Sequence, residues 1–187
     1  MPHAHMAAVG LSHAIDWRGP IPAIAAAVHA QGGVAIAAHP VGDQRPSWTD
    51  EGFRAVDGVE VAHPSMFGSA AYRRDLRTAY DEARGAHPDI AAIGSSDDHT
   101  AEPIGLCRTY VFAREATAAG VVDAIRTGRT VACDADGVVT GPPSLAATVS
   151  GRCRVDAAAG QLTPALPRLA TAITWVGLVT LAFFGFG

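Results

Sequence analysis

The sequence predicts an α/β fold in which parallel strands are covered by helices, and three observations carry that expectation. Short, almost continuously apolar runs alternate with helical stretches, as in strand–helix–strand units whose sheet is buried on both faces. Three successive runs end in metal-type ligands, at the C-terminal strand edge where parallel α/β folds build their sites. Charge is also sparse, with 49% of the 187 residues hydrophobic and 17% charged. That composition disfavours disorder. A net charge of −4 with no basic run gives no path for a phosphate backbone, so no nucleic-acid partner is expected.

Strands are expected over 7–11 (AAVGL), 33–38 (GVAIAA), 58–62 (GVEVA), 90–94 (IAAIG) and 108–113 (RTYVFA). Helices are expected over 21–31, 70–86 and 116–127. The second is the clearest, with Tyr72, Leu76, Ala79, Tyr80 and Ala83 at helical spacing and charged residues opposite. From about Ala135 the chain is rich in Gly, Pro, Ser and Ala, which reads as a loop-like exit. Three cysteines (Cys107, Cys133, Cys153) form an odd set without paired spacing, so neither a disulfide framework nor a thiolate zinc site is expected. Cys107 reads as a small buried residue.

Every Asp, Glu and Arg lies at or before Arg168, and the following LATAITWVGLVTLAFFGFG carries no ionisable group. Its length suits a spanning helix, a buried C-terminal core helix being the alternative. The expected organisation is therefore an α/β region over 1–145, a linker over 146–168 and a transmembrane helix over 169–187. Basic residues flank only the N-terminal side of that helix, which predicts a membrane-anchored chain with its domain on the cytoplasmic side.

All eight histidines fall within the first 99 residues. GVAIAA runs into His39, GVEVA runs into His63, and IAAIG runs into Ser95-Ser96-Asp97-Asp98-His99. Asp97 and His99, two apart on extended chain, point the same way and reach one centre, leaving Asp98 facing away. Imidazole with carboxylate suits Zn, Mn or Fe. His5 precedes the first strand and forms, with His3, either a ligand pair or a solvated terminus. Glu60, between Val59 and Val61, points to solvent, to a barrel interior or to the site. His13, His29 and His87 receive no role. No phosphate loop, nucleophile elbow or dinucleotide fingerprint is present.

AIAAHP, then GVEV, then GSSDDHT and a closing IRTGRTVA resemble the C-terminal half of the PHP (polymerase and histidinol phosphatase) superfamily. HAQGGVAIAAHP and GPPSL look most like its CehA/McbA type. The resemblance covers roughly 5–145 and implies part of a distorted (β/α)7 barrel holding a two- or three-metal cluster that hydrolyses phosphate esters. Carried over, it makes His5, His39, His63, Asp97 and His99 metal ligands, with His39, Asp97 and His99 also catalytic. The family's opening HxH motif has no counterpart before His5, so the domain reads as N-terminally incomplete. Two functions are expected: a metal-dependent phosphoesterase, or a non-catalytic membrane-tethered fragment that binds metal or a partner.

Overall fold

The computed structural model describes residues 4–64, 69–97 and 104–161, with side chains as far as 154. Four strands form one sheet in the order β1-β2-β3-β4: β1 (His5–Val9), β2 (Val34–Ala38), β3 (Gly58–Ala62) and β4 (Ala91–Gly94). Helices α1 (Ile21–Ala30), α2 (Asp50–Ala55) and α3 (Ala70–Ala86) connect them. Three further strands, β5 (Arg108–Val111), β6 (Thr130–Cys133) and β7 (Val139–Thr140), make a second sheet, with α4 (Ala118–Arg126) between β5 and β6 and α5 (Pro143–Gln161) after β7.

Helix starts are set locally. The hydroxyls of Thr49, Ser69 and Thr117 accept from the backbone N–H of Gly52, Tyr72 and Gly120, capping α2, α3 and α4. Strand burial follows the residue alternation. Ala35 and Ala37 of β2 face the main core of Val28, Trp48, Phe53, Leu76 and Tyr80, while Val34 and Ile36 face a smaller one with Ile93 and Ile125. Burial on both faces explains why β2 reads as an unbroken apolar run and β3 as one broken only by Glu60.

Beneath the sheet, at the end opposite the strand-terminal histidines, buried Asp57 accepts from the backbone N–H of Ala35 (2.8 Å) and pairs with His29 Nε2 (2.7 Å). His87 Nδ1 lies 3.0 Å from the carbonyl of Val56. Two of the three histidines left without a role, His29 and His87, thus tie helix ends to strand starts. The second sheet meets the first at Gly94, where Thr109 Oγ1 accepts from its N–H (2.9 Å) and donates to its carbonyl (2.8 Å). A Cβ on Gly94 would stand 2.5 Å from the carbonyl oxygen of Arg108, so the approach requires glycine.

Several expectations are corrected. The described strands do not form a barrel of parallel strands: only β2, β3 and β4 run parallel, β1 pairs antiparallel with β2, and the second sheet is antiparallel throughout. An irregular stretch of eleven residues separates β1 from α1. That is long enough to run back the length of a five-residue strand, so the helix re-enters from the same end. The membrane anchor, and the cytoplasmic placement argued from its flanks, find no support: no helix among the described residues is long and apolar enough to cross a membrane. The longest helix among the described residues, α5, carries Arg152, Arg154 and Asp156 in its sequence. The stretch 169–187 lies outside the described residues. Finally, Cys133 and Cys153 form a disulfide that joins β6 to α5. Its partners are 20 positions apart and became neighbours only through the fold. The chain is helical through Gln161, across much of the stretch read as linker.

Candidate metal centre

The corrected strand direction explains how His5 reaches the site. Antiparallel register sets His5 opposite Ala38, next to His39 at the end of β2. His5 Nδ1 and His39 Nε2 lie 2.9 Å apart, with ring centroids at 5.1 Å. Gln44, from the turn after β2, holds His5 twice: its Oε1 accepts from the backbone N–H (2.9 Å) and its Nε2 donates to Nδ1 (3.1 Å).

Parallel β3 brings Glu60 and His63 beside His39. The Glu60 carboxylate is buried between strands, and its Oε2 accepts from the backbone N–H of His39 (2.6 Å) and lies 3.1 Å from His39 Nδ1. The hydroxyl of Ser95, just past β4, donates to Oε1. With Glu60 accepting at Nδ1, Nε2 is the His39 atom presented to His5. The β3–β4 register shifts between Glu60 and Ala62, an irregularity of the kind that re-aims side chains beside sites.

His63 completes the group, its ring 5.3 Å from that of His39. Asp97 Oδ2 is 3.0 Å from His63 Nε2. His39, Glu60 and His63 each offer one ligand atom within 4.8 Å of the others. These two nitrogens and one carboxylate fit a divalent transition metal. The fit is supported by His63 Nδ1, which is buried and makes no hydrogen bond to a described residue. Tyr72, in the first turn of α3, stands against His63 with ring centroids at 5.7 Å.

Electrostatics follow from the buried carboxylate. The hydrogen bond to Glu60 raises the pKa of His39 above its ordinary value, against burial and with help from the charges of Glu60 and Asp97. Burial, with the charges of Glu60 and Asp97, pushes Tyr72 up to about 12. Cys107 is likewise pushed up to about 12, mainly by burial, and is inert where it lies.

Of the expected site residues, His5, His39, His63 and Asp97 stand together, and His99 lies outside the described residues. Glu60 was missed as a member of the group. Its signal was a lone carboxylate in an apolar strand, which only strand pairing could assign to a face. Gln44, Ser95 and Tyr72 carried no signal. A cavity of about 660 Å³ lined by Met6, Trp17 and Ile21 is separate, and none of the histidines line it.

Residues 83–130 match the family model for the PHP-associated module. The fold matches the solved structure of a two-domain protein from Bacteroides vulgatus, described as containing a predicted PHP-like metal-dependent phosphoesterase, with a TM-score of 0.52. The superfamily resemblance is borne out to this extent: residues 83–130 match the PHP-associated model, and the fold resembles that of a PHP-like protein. Identity to that neighbour is 22%, over 81% of this chain and 45% of that one, so the chain spans less than half of the neighbour's length. No curated protein sequence matches the chain.

Proposed function

We propose that this PHP-like chain is a metal-dependent hydrolase of phosphate esters, of the CehA/McbA type to which HAQGGVAIAAHP and GPPSL point. The observation that carries the reading is the His39–Glu60–His63 group at the ends of adjacent parallel strands, with His5 and Asp97 in contact with it. The neighbour's description as a PHP-like phosphoesterase supports the substrate class.

His39, Glu60 and His63 would hold the metal, with His5 and Asp97 beside them and His99 added by the resemblance. When bound, a Zn, Mn or Fe ion polarises a phosphoryl oxygen and lowers the pKa of its water. Glu60 fixes the ring of His39 by accepting at Nδ1, and Ser95 fixes Glu60 in turn. Strand ends hold these groups on rigid backbone, which keeps an attacking water and a phosphoryl group in register.

The test is metal content by elemental analysis after loading with Mn or Zn, followed by hydrolysis of p-nitrophenyl phosphate. Wild type is expected to retain metal and turn over. The double variant His39→Ala/His63→Ala is expected to lose about tenfold or more of both. Equal metal in the two proteins would overturn the site. Metal without turnover would instead leave a metal-binding module that is not an esterase.

A further inference from the structure

We propose that the hydroxyl of Tyr72 is the donor that seats the substrate's phosphoryl group beside the His39–Glu60–His63 cluster, an inference that rests on reading the cluster as a metal centre. Tyr72 is held beside His63 by two constraints. Its backbone N–H donates to Ser69 Oγ (3.1 Å), fixing the first turn of α3, and its ring leans on His63 at 5.7 Å with a 59° tilt. The ring is half-buried against the main core.

What distinguishes Tyr72 is an uncommitted donor. Among the described residues its hydroxyl makes no hydrogen bond, whereas Gln44 is spent on His5 and the Ser95 hydroxyl on Glu60. The surroundings select the ligand. Glu60 and Asp97 are the charges that act on the phenol, so an anion must enter beside two carboxylates. A metal supplies the attraction, and a neutral O–H supplies direction. A phosphoryl oxygen accepts such a bond strongly because the acceptor is ionised. Lysine, the usual point-charge phosphate binder, does not occur in the chain.

The experiment uses the full chain loaded with Mn, with inorganic phosphate as probe and calorimetry as readout. Tyr72→Phe keeps the ring and its packing against His63, so melting temperature and metal content are expected to match wild type. Phosphate affinity is expected to fall about tenfold, the size of one hydrogen bond to a charged acceptor. Equal phosphate affinity in wild type and Tyr72→Phe, at equal metal content, would overturn the role of Tyr72 and leave the metal centre standing. Wild type that takes up no metal would overturn the metal centre and this proposal with it.

Discussion

His39 and Asp97 are the two described non-glycine residues with positive φ, at 31° and 40°. Both follow a strand end, and both carry side chains of the candidate centre. Left-handed backbone costs a residue with a Cβ about 1–3 kcal/mol, and such conformations persist where surrounding bonds over-determine them. Glu60 does so at His39 by accepting from its backbone N–H, and His63 contacts Asp97. The Glu60 bond also sets a pH dependence. The folded-state pKa of His39 lies above the unfolded value of 6.5, so its contribution is complete below that pH and is lost as pH rises through the folded value. Metal-free protein in chelator is therefore expected to melt at lower temperature at about pH 9 than at about pH 6. His39→Gln should flatten the difference, and an unchanged slope in calorimetric melts would show that the Glu60–His39 bond does not produce it.

Asp57 illustrates what holds the elements together. One carboxylate joins α1 through His29, β2 through the N–H of Ala35, and β3, which Asp57 immediately precedes. Asp57→Ala would leave that buried N–H without a partner and is expected to cost about 2 kcal/mol in urea unfolding. A change below about 0.5 kcal/mol would mean that water replaces the carboxylate. This residue also marks how far the elements could be read in advance. The strands over 33–38 and 58–62 and the helix over 70–86 were legible because burial on two faces, or on one helical stripe, writes itself into residue type. Strand direction was not, since apolar runs carry no arrow; β1 looked like the start of a parallel unit and runs the other way. The strand β7 has only two residues, and the small and apolar residues of α5 collect on no one face, so neither left a period to detect. The histidines at strand ends were visible, but Glu60 needed the pairing of β2 with β3 to place it against His39.

At the scale of the whole molecule, two sheets of different construction meet at Gly94, and only the second is covalently reinforced. Cys133 and Cys153 close a loop across 20 positions. Cross-links of that span stabilise by about 3 kcal/mol, largely through the unfolded chain. Cys153→Ser is expected to lower the guanidinium midpoint accordingly, and reduction should bring wild type to the same value. Thiol titration of the denatured, unreduced chain provides the check: Cys107 alone should react. Three reactive thiols would remove the bridge. The bond also fixes a path for force. Tension applied through the chain beyond Gln161 enters α5, reaches Cys153, and passes through sulfur to the end of β6. Load from that direction falls first on the small antiparallel sheet, and the strand ends that carry His39 and His63 lie beyond it, in the other sheet.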